Sequence, residues 1–97
     1  MATPLELSTG RGPDGIPVVN AVGEIDMSNA EVFRAALAAA ADGGEFVVDL
    51  TRVEYLDSAG IHALYAVGPR VRLIATALLS PVLDICGLSG ITSVREG

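Results

Sequence analysis

The chain contains no lysine, one cysteine, one histidine and no long apolar run. Each shortage closes a class of function. Cys86 has no partner for an internal disulfide, and one cysteine with one histidine cannot build a zinc site. The longest apolar candidate, Ala35–Ala41, lies between Arg34 and Asp42. It falls well short of the roughly 18–20 residues that span a membrane. The start, Met1-Ala2-Thr3-Pro4, has neither the basic nor the apolar region of a signal peptide. Positive charge is scarce, since six arginines face twelve carboxylates for a net charge of −6. That balance argues against a nucleic-acid binder, which needs a positive surface for phosphate, and against docking on anionic lipid. Without lysine there is no Gly-x-x-x-x-Gly-Lys-Ser/Thr loop, and Gly-x-Gly-x-x-Gly is also missing. These exclusions leave a cytoplasmic, metal-free chain with no cofactor and no membrane insertion as the expectation.

What is present fits one small α/β domain over residues 1–97. Hydrophobic residues make up 51% of the chain, but 14 of them are alanine, so the core volume is modest. Leu5–Thr9 alternates apolar and polar residues as a half-buried strand does. A Gly-Pro-Asp turn cluster, Gly10–Gly15, leads to a second strand over Ile16–Ile25, and the two form a hairpin. Pro17 must sit at the start of that strand or on an unpaired side. Ser28-Asn29-Ala30-Glu31 has the form of a capping box, with Ser28 capping and Glu31 reaching back. The helix after it places Phe33, Leu37 and Ala40 on one face and ends at Asp42-Gly43-Gly44. Phe46–Leu50 reads as a buried strand and Thr51–Leu56 as its exit loop. Asp57–Gly60 opens a short helix over Ile61–Val67, and Val71–Ala75 is the next strand. Ser80-Pro81 starts a helix that ends at Gly87, and Ile91–Val94 is a last strand. The order β-β-α-β-α-β-α-β implies a mixed sheet with helices packed on it and parallel βαβ units. Function is expected at the C-terminal ends of the parallel strands. The loops Asp26–Asn29 and Asp57–Gly60 lie there.

Asp57, Ser58 and His62 invite a nucleophile-base-acid reading. It fails because the position before the nucleophile elbow is Leu56 rather than glycine, and no oxyanion-hole loop is evident. Two other readings of Ser58 remain open. Its hydroxyl can act as a helix N-cap. It can also accept a phosphoryl group, which the free N–H groups of a helix start would tolerate. Glu24 and Asp26 read as loop-ordering or docking groups rather than a catalytic pair. Asp49 reads as a capping residue near a strand end, Tyr55 and Phe46 as core, and Cys86 as buried and inert.

Three stretches, in order, resemble a STAS domain of the anti-sigma factor antagonist type. They are Val22-Gly23-Glu24-Ile25-Asp26, then Val47-Val48-Asp49-Leu50 with Tyr55-Leu56-Asp57-Ser58-Ala59-Gly60-Ile61, then Ser80-Pro81-Val82-Leu83 through Cys86-Gly87-Leu88. The resemblance implies a bacterial partner-switching regulator and no enzyme activity. Such a regulator binds an anti-sigma factor, itself a serine kinase of the histidine-kinase-like ATPase fold, and so releases a sigma factor. Ser58 is the phosphoacceptor that this implies, with a phosphatase restoring the free hydroxyl. Asp26, Ser28, Asn29, Asp57, Ala59, Ile61 and His62 are the implied partner-binding residues. The chain departs from the family in having Ala59 where a second hydroxyl is frequent. It also has a shortened second helix and ends at Gly97, where many relatives continue into a helix. The other readings are a STAS-fold adaptor for a transport ATPase complex and a non-switching signalling scaffold.

Overall fold

The computed structural model describes residues 4–41, 44–67, 70–77, 79, 81, 83 and, as backbone, 93–96. Among the described residues five strands and two helices run in the order β1 (Glu6–Arg11), β2 (Pro17–Ile25), α1 (Ala30–Ala40), β3 (Phe46–Leu56), α2 (Ser58–Val67), β4 (Val71–Ala75) and β5 (Ser93–Glu96). They form one sheet in sequence order, β1-β2-β3-β4-β5. The first pair is antiparallel and the other three are parallel. The expected hairpin is present, and Pro17 opens β2 opposite Arg11, the last residue of β1. Gly15, at φ 82°, takes the left-handed conformation in the connecting turn. The final strand is displaced from the expected Ile91–Val94 to Ser93–Glu96. The helix expected over residues 80–87, with Cys86, lies outside the described residues apart from Pro81 and Leu83. Leu83 is buried, and its N–H donates to the Leu79 carbonyl (3.1 Å).

Alternation in β2 sorts the two faces of the sheet. Val19, Ala21 and Ile25 are buried, whereas Val18, Asn20, Val22 and Glu24 are half-buried on the opposite face. The buried face meets Phe33 and Leu37 of α1 and Ile61, Ala63 and Leu64 of α2. A sheet whose parallel strands follow sequence order brings all crossover helices to one face, and α1 and α2 pack against each other there. Phe46, Val48, Leu50, Val71 and Leu73 belong to the same core, with Val53, Leu56, Ala75, Leu79 and Leu83.

The expected exit loop Thr51–Leu56 is strand: β3 continues to Leu56, paired with β2 as far as Ile25. The register explains why this was hard to read. It shifts between Asn20 and Val22 and again between Gly23 and Glu24, each time with one extra residue in β3. With bulges, buried Val53 and Leu56 lie three residues apart rather than two, so the period-2 signal disappears. Gly23, at φ 104°, supplies the backbone freedom beside the second bulge. Asp49 serves the first, where Oδ1 accepts the Thr51 N–H (2.9 Å) and hydroxyl (2.6 Å). The second bulge also turns Tyr55 outward. It was expected in the core and is 50% exposed. Phe46 is fully buried, as expected.

Candidate functional site

β2 and β3 are neighbours in the sheet and run parallel, so their C-terminal ends emerge side by side. The Asp57 N–H donates to the Ile25 carbonyl (3.2 Å), which ties the two exits together. The loops expected to carry function are therefore adjacent.

The first loop is held by its own side chains. Asp26 Oδ1 accepts the Ser28 N–H (2.8 Å) and the Ser28 hydroxyl. Asn29 Oδ1 accepts the Asp26 N–H (2.9 Å), while Asn29 Nδ2 donates to the Glu24 carbonyl (2.9 Å). The expected capping box does not form. Asn29 occupies the N-cap without a side-chain cap bond, Ser28 is drawn to Asp26, and Glu31 pairs with Arg34 one turn along. An ion pair at i, i+3 on an exposed helix face competes well with a backward reach to the cap.

The hydrogen bonds from Ser28 hold the Asp26 carboxyl below its ordinary value of 3.8. A lowered value means that the loop contacts are fully present above the ordinary carboxylate range. They are lost as pH falls through the lowered value. The Ser28 amide resonance should therefore titrate with a midpoint below 3.8, and Asp26→Asn should abolish that step in an NMR titration.

In the second loop the cap is Asp57, not Ser58. Asp57 Oδ1 accepts the Ala59 N–H (2.9 Å) and the Gly60 N–H (3.3 Å). Ser58 becomes the first residue of α2, exposed to solvent, and its hydroxyl has no hydrogen-bond partner among the described residues. The helix thus starts three residues before the expected Ile61. Asp57→Ala should cost about 1 kcal/mol through loss of the cap, measured by denaturant unfolding.

Gly60 seats the start of α2 against the sheet. A Cβ there would run into Leu56 Cδ1 and lie 2.8 Å from Ile25 Cγ2.

Of the residues expected at the partner surface, Asp26, Asn29, Asp57 and Ala59 are half-buried and Ser28 and His62 are exposed. Ile61 is only 8% exposed and belongs to the core, so it supports this surface from beneath rather than lining it. Met27, at 83% exposure, was missed. Its signal was an apolar residue inside an otherwise polar turn, Asp26-Met27-Ser28-Asn29. Among the described residues neither the Ser58 hydroxyl nor the His62 ring is hydrogen-bonded to the other, so this is not the geometry of an activated nucleophile. It is an exposed hydroxyl at a capped helix start, beside a hydrogen-bonded turn that carries Asp26.

The family model described as "Mlab, STAS domain" matches residues 9–91. The chain belongs to the STAS domain family. BtrV of Bordetella bronchiseptica, a candidate anti-sigma factor antagonist, is 33% identical over 88 residues, covering 84% of this chain and 76% of its own. An anti-sigma factor antagonist from Mycobacterium paratuberculosis superposes with a TM-score of 0.84 at 25% identity, covering 98% of this STAS chain and 90% of that one. The anti-sigma factor antagonist SpoIIAA in its unphosphorylated form shares the fold, with a TM-score of 0.69 at 19% identity over 93% of this chain and 88% of that one.

Proposed function

We propose that this STAS protein is an anti-sigma factor antagonist. It binds an anti-sigma factor that is also a serine kinase, and phosphorylation of Ser58 ends that binding. The observation that carries this reading is the exposed Ser58 hydroxyl, which has no hydrogen-bond partner among the described residues while Asp57 takes the cap. The named relatives support the general role. In the transfer, Ser58 Oγ attacks the γ-phosphorus of ATP, the bond to the β-phosphate bridging oxygen breaks, ADP leaves, and the hydroxyl proton passes to a base on the kinase. A phosphatase reverses the modification by hydrolysis.

The phosphoserine would carry a charge of about −1.5 to −2. It would stand next to Asp57, with Asp26 on the adjoining loop. A helix N-terminus tolerates that charge, so the domain stays folded. The partner loses a surface that matched a neutral hydroxyl. The domain itself acts by binding, in the cytoplasm, and performs no reaction of its own.

The test is capture from a lysate of the source organism with wild-type, Ser58→Ala and Ser58→Asp baits, read by mass spectrometry. Wild-type and Ala baits should retain a histidine-kinase-like ATPase that the Asp bait loses. The same transporter or scaffold components on all three baits would replace the switch with an adaptor role.

A further inference from the structure

The sheet has a second face. Both described helices pack on one side of it, so among the described residues no helix lies on the other. Strands in parallel pairs are usually covered on both faces. Here β2, β3 and β4 present Val18, Val47 and Ile74 to the uncovered side, half-buried and outside the core. These side chains floor an open groove of about 710 Å3 near the N-terminal ends of the strands, walled by the β1–β2 turn. We propose that this groove docks an amphipathic α-helix of a protein partner, with the helix's apolar stripe on the floor and its lysines or arginines against the rim. The site is separate from the Ser58 surface.

Width decides the kind of occupant. Val18, Val47 and Arg72 share one row across the three strands, and Asp49 and Ile74 share the next. Two strand spacings of about 4.8 Å make a floor about 10 Å across, the diameter of one α-helix. A helix laid along the strands is also how the chain covers its other face.

Charge decides the composition of that helix. Asp14, Glu45 and Asp49 line the groove against one cation, Arg72, which pairs with Glu45 (2.8 Å). Asp14 accepts the Ile16 N–H, and Asp49 accepts the Thr51 N–H and hydroxyl, so neutral donors hold both carboxylates in place. Among the described residues neither has a cationic partner. Arg11, the other cation near the turn, donates to the Gly15 carbonyl and does not line the groove. Three carboxylates against one guanidinium leave a net charge of −2 over an apolar floor. A basic amphipathic helix complements both properties. A second copy does not, because the chain itself carries a net charge of −6 and no lysine. The groove is also remote from the switch. Val47 is the second of the eleven residues of β3, and Ser58 follows the last. At about 3.3 Å per residue the two lie roughly 30 Å apart. One partner can hold the domain here while another comes and goes at Ser58.

The experiment uses the full chain labelled with 13C at the Ile, Leu and Val methyl groups. The probe is a synthetic Leu/Lys peptide of about five helical turns with leucine at i, i+3, i+4 and i+7 spacing, and the control carries Glu at every Lys. The Lys peptide should shift the Val18, Val47 and Ile74 methyl signals and leave Ile61, beneath the Ser58 surface, unmoved. The Glu peptide should shift none. Asp14→Asn combined with Asp49→Asn keeps both hydrogen-bond acceptors and removes both charges. It should weaken binding roughly fivefold, as exposed ion pairs do, with urea unfolding near that of wild type, and salt at about 0.5 M should weaken binding similarly. Ser58→Asp should bind the Lys peptide as wild type does, whatever becomes of the Ser58 switch. No binding of the Lys peptide, equal shifts with the Glu peptide, or shifts centred on Ile61 would each overturn the proposal. Shifts of the floor methyls that follow the concentration of this chain alone would assign the face to a second copy and overturn it too.

Discussion

Ser58→Asp should weaken binding of the purified kinase partner by roughly thirtyfold or more, while leaving the stability of the free domain unchanged within about 0.5 kcal/mol. The two halves of this expectation have different causes. Stability is spared because Ser58 is exposed, its hydroxyl makes no bond among the described residues, and Asp57 rather than Ser58 caps α2. A negative charge in the first turn of a helix contributes a few tenths of a kcal/mol in its favour, which offsets repulsion from Asp57. Binding suffers because a like charge or an unpaired charge at a docked surface costs about 2 kcal/mol or more, and each 1.4 kcal/mol is a factor of ten in Kd. The phosphorylated chain, with its larger charge and bulk, should bind more weakly than the Asp variant. Ser58→Ala should bind as wild type does. Titration calorimetry on the three variants, with urea unfolding alongside, checks both halves. A stability loss in Ser58→Asp that matched its binding loss would show that Ser58 is structural.

Gly60→Ala should destabilise the domain by about 1–3 kcal/mol, a lowering of Tm by roughly 5–20 °C, and should also impair partner binding. The added methyl meets Leu56 Cδ1 and Ile25 Cγ2. The leucine end can swing away, but Ile25 is β-branched, fully buried and fixed at the end of a central strand. The start of α2 must therefore lift off the sheet, and Asp57 and Ser58 move with it. Gly10→Ala is the control, because a Cβ at Gly10 meets nothing within 4 Å and the change should lie within about 0.5 kcal/mol of wild type. Thermal unfolding of the two variants separates a steric cause from a general intolerance of glycine replacement. Equal stability of Gly60→Ala and wild type would mean that α2 is not seated by this contact.

Much of this architecture is legible in the residues because local signals and tertiary structure agree. The β1–β2 hairpin follows from alternation around a Gly-Pro-Asp turn, and α1 from the Phe33–Leu37 spacing. β4 lies where a short apolar run ends in a turn. The misreadings cluster where one physical effect overrode another. Thr51–Leu56 looks like a loop because two bulges spoil its alternation, and bulges are tertiary features set by pairing with β2. Ser28 looks like a cap, yet the carboxylate two residues before it offers a stronger acceptor. Ser58 looks like a cap for the same reason that Asp57 is one: both carry a short oxygen-bearing side chain at a helix start, and the sequence cannot say which residue has left the helical conformation. Under the proposed switch that one-residue difference matters, since the hydroxyl is then not needed as a cap. The site loops themselves were placed correctly from topology, because adjacent parallel strands must end at the same edge. Met27 was passed over because a lone apolar residue in a turn carries no periodic signal.

The most direct test of the switch is the mass of the intact chain after incubation with the cognate anti-sigma factor and ATP, followed by mapping of the modified residue. The account expects one phosphoryl group, on Ser58, and none on Ser58→Ala. A phosphoryl group on another residue, or none on the wild-type chain while the two proteins remain bound, would contradict it.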